Sequence, residues 1–176
     1  MKTGGLNINQ QLEHFKMNIT SEKLFSRIEI SVSDHCCEPV EEINGVVYIN
    51  DSKATDIHKT LQTLNQLNSP TVLITGGSDE GTDYSYLSEI STDVLKKIIY
   101  TGRDAAKIKR QFIQHAKIEF VHLEKDLKKC IEHCIEKCDH GFVVLYSPAC
   151  PSFDVFDNYK NRGNQFKSIV KKLKSE

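Results

Sequence analysis

The feature that most constrains this chain is a recurring unit: a short, nearly all-apolar run that stops on a glycine, serine or polar loop and hands over to a helical pattern. Thr71-Val72-Leu73-Ile74-Thr75 closes on Gly76-Gly77, and Lys97-Ile98-Ile99-Tyr100-Thr101 closes on Gly102. Phe142-Val143-Val144-Leu145-Tyr146 closes on Ser147-Pro148. A strand that is apolar at nearly every position is covered on both faces, as in a parallel sheet. Between such runs Ile57, Leu61, Leu64 and Leu67 recur at helical spacing, as do Leu123, Leu127, Ile131 and Ile135. This alternation predicts an α/β fold: a Rossmann-like, open, mostly parallel sheet with helices on both faces. Crossovers in such sheets are right-handed, and ligands sit beyond the carboxyl ends of the strands.

Other elements follow from local signals. Pro39–Ile43 and Val46–Asn50 flank Asn44-Gly45, the strongest short hairpin signal. Helices are expected over Tyr86–Ser91, Ala105–His115, Leu123–Asp139 and Arg162–Lys174, with a strand at Ile118–Val121 and Gly141 stopping the third helix. Ahead of these, Ile8–Phe15 and Ser21–Ile28 read as helices broken at Asn18-Ile19-Thr20. The chain therefore divides into a helical lead-in, residues 1–34, and one domain, residues 35–176.

Charge and cysteine usage narrow the function classes. A formal net charge of −1 leaves no basic excess for nucleic acid. The run from Lys167 to Lys174 suits the solvated, negative end of a last helix. No apolar run approaches the ~18 residues of a membrane span, and the residues after Met1 are not those of a signal peptide. A cytoplasmic protein, bound to neither membrane nor nucleic acid, is the expectation. Cys130, Cys134 and Cys138 fall on one helical stripe beside apolar residues and read as small core residues, not metal ligands. Cys36-Cys37 is expected to be reduced.

Three loops at strand ends carry the chemistry. Asn50-Asp51-Ser52-Lys53-Ala54-Thr55 puts a carboxylate, an ammonium and two hydroxyls at a strand-to-helix junction, where helix N–H groups favour anions. Asp51, Ser52 or Thr55 acting as a helix cap is the plainer alternative. Thr75-Gly76-Gly77-Ser78-Asp79-Glu80-Gly81 is a glycine turn without the P-loop or dinucleotide pattern, and a tight turn explains it as well as a ligand does. Ser147-Pro148-Ala149-Cys150-Pro151-Ser152-Phe153-Asp154 is fixed by two prolines. Cys150 reads as buried, and Asp154, Asp157 and Arg162 as an ionic network that shapes this loop.

Taken in order, Glu38-Pro39-Val40, Ile43-Asn44-Gly45-Val46, Asn50 to Thr55, Gly76-Gly77-Ser78-Asp79, Asp83-Tyr84 and Ser147 to Phe166 resemble the C-terminal domain of the Mur ligases. The likeness spans about residues 35–172 and is most specific to the branch that adds D-glutamate to UDP-N-acetylmuramoyl-L-alanine. Gly5-Leu6-Asn7-Ile8-Asn9-Gln10 looks like the end of that family's central domain.

The resemblance implies a ligase in which ATP and Mg2+ on a central domain turn a carboxylate into an acyl phosphate, which the amine of D-glutamate attacks. It implies Lys53 as the catalytic residue beside the acyl phosphate and Thr55, Ser152, Phe153 and Tyr159 around the D-glutamate. Asp51 would face the nucleotide ribose. The sequence departs from the family at Cys36, where an arginine is common, at Glu80, where a lysine is common, and at Asp56, where an asparagine is common. No GxxxxGK[ST] occurs in the 176 residues, so no nucleotide is expected to be held by this chain alone. Other readings are a non-catalytic module that keeps the fold, and a Rossmann-like nucleotide binder using Gly76-Gly77.

Overall fold

The computed structural model describes residues 33–77, 81–101, 109–111, 117–123, 126–152 and 156–175. The expected lead-in helices before residue 33 lie outside them, as does most of the helix expected over Ala105–His115, of which 109–111 are helical.

Among the described residues six strands form one sheet in the order β1-β2-β6-β3-β4-β5. They are β1 (Glu38–Ile43), β2 (Val46–Asn50), β3 (Thr71–Thr75), β4 (Leu95–Tyr100), β5 (Glu119–His122) and β6 (Val143–Tyr146). Among these six strands the hairpin pair β1–β2 is antiparallel and the other pairings are parallel. The hairpin turn is the expected one, with Asn44 and Gly45 at φ 53° and 75°, the left-handed geometry of a type I′ turn. A bulge at Pro39/Glu41 accommodates the proline, which has no N–H to give the ladder.

Helix α1 (Ile57–Leu64) and a 310 helix (Tyr84–Glu89) cover one face, where Ile57, Leu61, Leu64 and Leu87 pack on Leu73, Ile98 and Leu145. Helices α2 (Leu127–Lys137) and α3 (Tyr159–Lys174) cover the other, packing on Val72, Ile74, Ile99 and Val144. The fold is therefore the mostly parallel, doubly covered α/β sheet that the apolar runs predict. Among the described residues no helix is long and apolar enough to cross a membrane.

Element ends differ from the sequence reading for identifiable reasons. Asp56, not Asp51, Ser52 or Thr55, caps α1 by accepting the Lys59 N–H. Asp126 does the same for α2, which starts there rather than at Leu123. Asn158 caps α3, so that helix begins three residues before Arg162 and takes Gly163 into its second turn. Cys130 and Cys134 are buried, as the stripe implies, whereas Cys138 is only half-buried because α2 ends on it.

Tyr48 is fully buried, and its hydroxyl has no partner among the described residues. An unpaired buried hydroxyl costs on the order of 1–3 kcal/mol. Tyr48→Phe is accordingly expected to leave stability unchanged or raise it by about 1 kcal/mol. A fall in the urea unfolding midpoint would mean that the hydroxyl has a partner in solution.

Candidate functional site

Parallel register sets the carboxyl ends of the strands in one row: Asn50 faces Tyr146, Tyr146 faces Ile74, Thr75 faces Tyr100 and Tyr100 faces His122. The three loops singled out in the sequence leave from this row. They are stitched together from the start, because Asp51 N–H donates to the Tyr146 carbonyl, Ser147 N–H to Ile74 and Gly76 N–H to Pro148.

Asp51 lies under the loops, not on them. It is 2% exposed. Its Oδ1 accepts the Cys37 N–H at 3.1 Å, and its Oδ2 accepts the Thr63 and Ser147 hydroxyls at 3.0 and 2.8 Å. The Ser147 hydroxyl also meets that of Thr60 at 2.8 Å. Burial outweighs these donors and pushes the carboxyl up from 3.8 to about 6. The folded chain thus keeps a proton that the unfolded chain releases. Stability from this group is complete below pH 3.8 and is lost as pH rises through about 6, by about 3 kcal/mol. Asp51→Asn should remove that pH slope from urea-unfolding free energies; an unchanged slope would mean an Asp51 ionised throughout.

A second buried network begins at His35, whose φ of 64° turns the chain back toward β2. The Asn50 amide nitrogen donates to Glu38 Oε2 at 2.9 Å and lies 3.1 Å from His35 Nδ1. Asn50 Oδ1 accepts the Ser52 N–H, which fixes the amide orientation. His35 Nδ1 is therefore an acceptor, and the imidazole proton belongs on Nε2. Burial, with Lys167 adding to it, holds this imidazole below the usual histidine range. Glu38 is held below the usual carboxylate range: burial opposes this, but the Lys167 ammonium at 2.9 Å, the His35 N–H and the Asn50 amide outweigh it.

Arg162 joins the two main loops. It is 3% exposed, and its Nη1 donates to the carbonyls of Cys150 and Pro151 at 2.9 and 3.2 Å. Its Nη2 donates to the carbonyl of Ser52 at 2.9 Å. This corrects the ionic network expected of Asp157 and Arg162: Asp157 is exposed and accepts from Asn161, while the guanidinium serves the backbone carbonyls of Ser52, Cys150 and Pro151. Asp154 lies outside the described residues. Next to Arg162, Gly163 has no room for a side chain, since a Cβ there would stand 2.2 Å from both His35 Nδ1 and Ser52 Oγ. Gly77 is similarly pressed, with a Cβ meeting Cys150 Sγ at 2.6 Å.

The residues expected to bind substrate sit around this knot. Lys53 is exposed, makes no salt bridge among the described residues, and has its N–H held by the His35 carbonyl at 2.9 Å. Thr55 is half-buried and its hydroxyl accepts from Lys59 Nζ at 3.3 Å. Tyr159, also half-buried, meets the His35 ring edge-on with centroids 5.9 Å apart. Ser152 is buried on the Arg162-bound loop. Phe153 and Glu80 lie outside the described residues. Lys53, Thr55 and Ser152 thus follow the carboxyl ends of β2 and β6, Tyr159 lies against His35, and Asp51 is buried. A cavity of about 320 Å³ opens elsewhere, over β3 on the α2/α3 face, and none of Lys53, Thr55, Ser152 and Tyr159 lines it.

His35 and Gly163 escape a reading based on chemical type alone, as do the carbonyl partners of Arg162. The signal available for them was the Arg-Gly pair at a helix start, where a glycine costs helix stability and so points to a close approach.

Comparison with known proteins agrees with this fold. The model of the Mur ligase glutamate ligase domain matches residues 37–150. Proteins named UDP-N-acetylmuramoylalanine–D-glutamate ligase are 40% identical over 142 residues in Christiangramia forsetii and 37% over 140 in Caldicellulosiruptor saccharolyticus. One from Bacteroides fragilis is 34% identical over 140 residues. Each alignment takes in 80% of this chain and 31% of the relative, so the chain spans about a third of the length of these relatives. In fold it is similar to a murein peptide ligase, Mpl, from Psychrobacter arcticus 273-4, with a TM-score of 0.54 at 14% identity over 79% of this chain and 29% of that one. It is also similar to a MurF ligase from Thermotoga maritima in complex with ADP, with a TM-score of 0.50 at 16% identity over 82% and 33%. The chain belongs to the Mur ligase family, matching its glutamate ligase domain.

Proposed function

We propose that residues 35–176 are the acceptor-binding domain of a D-glutamate-adding Mur ligase, preceded in residues 1–34 by the end of a central domain. In this reading the domain holds D-glutamate for amide-bond formation with UDP-N-acetylmuramoyl-L-alanine in peptidoglycan synthesis. The observation that carries it is the Arg162 knot, which joins the lysine-bearing loop after β2 to the serine-bearing loop after β6. The names of similar relatives support the same acceptor.

Lys53 supplies an uncommitted cation for developing negative charge, and Thr55, Ser152, Phe153 and Tyr159 flank the D-glutamate. A dicarboxylate needs such a cation and fixed donors away from water. In the complete ligase ATP, with Mg2+, would supply the phosphoryl group that activates the carboxylate of UDP-N-acetylmuramoyl-L-alanine. The residues of this chain do not fit a triphosphate: it has no P-loop lysine motif, and Asp51, expected at the ribose, has both carboxylate oxygens engaged inside the fold. We assign it no nucleotide step.

A second reading, a Mur-fold module without catalysis, draws on Cys36 and Glu80, where the family commonly carries cations. A carboxylate beside a dicarboxylate substrate repels it by several kcal/mol at close range.

The test is an NMR titration of the domain with D-glutamate against L-glutamate. Stereospecific, saturable shifts at Lys53, Thr55, Ser152 and Phe153 are expected, followed by ligase activity when a central domain is added in trans. Identical responses to the two enantiomers, with no activity in trans, would favour the non-catalytic module.

A further inference from the structure

Helix α2 carries Cys130 and Cys134 and ends on Cys138, and the fold gives these thiols unequal surroundings. Cys130 and Cys134 are fully buried in the cluster that holds Val72, Ile99 and Val144, where they act as small core residues. Cys138 is half-buried, and its backbone is extended. Its N–H still closes the last helical turn on the Cys134 carbonyl at 2.9 Å. The two Cα atoms therefore stand one turn, about 6 Å, apart, within the span of a disulfide.

A cation lies beside this end of α2. Lys97 of β4 is two residues before Ile99, so it shares the sheet face that α2 covers. Its side chain is 13% exposed and pairs with Glu119 of β5 at 3.1 Å. Hydrogen bonding from the Cys134 thiol, with the Lys97 ammonium adding to it, holds Cys138 below the usual cysteine range although burial opposes this. The same contact, together with burial, pushes Cys134 well up. Burial pushes Cys130, one turn earlier, up to about 12. At Cys36, also half-buried, burial and then the Asp51 carboxylate raise the thiol. The thiolate is the reactive form. Of Cys36, Cys130, Cys134 and Cys138, only Cys138 combines access with a favoured thiolate.

We propose that Cys138 and Cys134 form a peroxide-sensitive thiol pair, with Cys138 attacking and Cys134 resolving. The Cys138 thiolate attacks one oxygen of hydrogen peroxide. An S–O bond forms, the O–O bond breaks, and hydroxide leaves to become water on gaining a proton. The Cys134 sulfur then attacks the sulfur of the Cys138 sulfenic acid. The S–S bond forms, the S–O bond breaks, and the oxygen leaves as water with the Cys134 proton. Both thiols are oxidised to one disulfide, and the peroxide is reduced to water. The new bond draws the Cβ atoms closer than a regular turn sets them, so the last turn of α2 opens, as it can where the helix already stops.

The test oxidises the full chain with a small excess of hydrogen peroxide, blocks remaining thiols with N-ethylmaleimide and maps the products by mass spectrometry. Trypsin cuts after Lys137, so a Cys134–Cys138 bridge joins peptides 130–137 and 138–160. That linked pair is expected to form about threefold or more faster than Cys36 is oxidised. Fragmentation should place the bridge on Cys138 and not Cys150, and the bridge should persist in Cys130→Ala. The Cys138 amide should exchange faster in the oxidised chain. In Cys134→Ala, dimedone should capture a sulfenic acid at Cys138, while Cys138→Ser should leave Cys134 reduced. Should Cys134→Ala fail to fold, the peptide map of the parent chain decides alone. A Cys138 that stays alkylatable while Cys36 oxidises, a bridge to another cysteine, or a Cys138 sulfenic acid that Cys134 never resolves would each overturn the proposal.

Discussion

Gly163→Ala should destabilise the domain by about 2 kcal/mol, although the same change within an ordinary helix stabilises it by up to about 1 kcal/mol. The reversal comes from the 2.2 Å separations between the new Cβ and both His35 Nδ1 and Ser52 Oγ. Neither neighbour yields easily. The imidazole is held by Asn50, Asn50 is held by Glu38, and Glu38 is clamped by Lys167 of the same helix. Relief therefore requires α3 to shift away from the β2 loop, taking Arg162 with it. The checks are the urea unfolding midpoint and the Lys53 amide resonance, which reports the His35 carbonyl. A midpoint equal to or above that of the parent would refute the close approach.

Arg162→Ala is expected to cost more, about 4 kcal/mol. It removes charge-assisted hydrogen bonds to three carbonyls and leaves the two buried ones, of Ser52 and Cys150, without that donor. Arg162→Lys keeps the charge but cannot span both loops, since one ammonium lacks the fork that serves Ser52 on one side and Cys150 and Pro151 on the other. It should recover less than half of the loss. Hydrogen exchange distinguishes this from general loosening: amides of residues 51–54 and 147–152 should speed up together while those of β3 and β4 stay protected. Equal acceleration throughout the sheet would refute a tie between loops.

Much of the fold was legible in the sequence because its strongest signals are local. Asn44-Gly45 specifies its turn through φ alone, and Val143 to Tyr146 specifies a doubly covered strand through unbroken apolarity. Helix ends were read less well, since a cap depends on which of several candidates, among Asp51, Ser52, Thr55 and Asp56, has extended backbone geometry when the helix begins. The loop motifs name three segments, and the parallel register sets their starting points in one row. Spacing carried no warning that Asp51 turns inward. Its partners Thr63 and Ser147 come from α1 and the β6 loop, and only assembly of the sheet brings them to it. Arg162 was read as shaping its loop, but its partners were hidden for the same reason: they are carbonyls, which every residue possesses.

Strand order also governs how the chain can be made. β6 is the last strand in sequence yet lies between β2 and β3, with Val143 paired to both Val47 and Thr71. Until the ribosome releases it, the nascent chain holds a β1–β2 hairpin and a separate β3–β4–β5 sheet, each with a bare edge that no local contact can close. Such edges recruit other chains. Pairings this distant in sequence also form slowly. Truncations that end before Val143 should therefore accumulate as aggregates rather than as smaller folded domains.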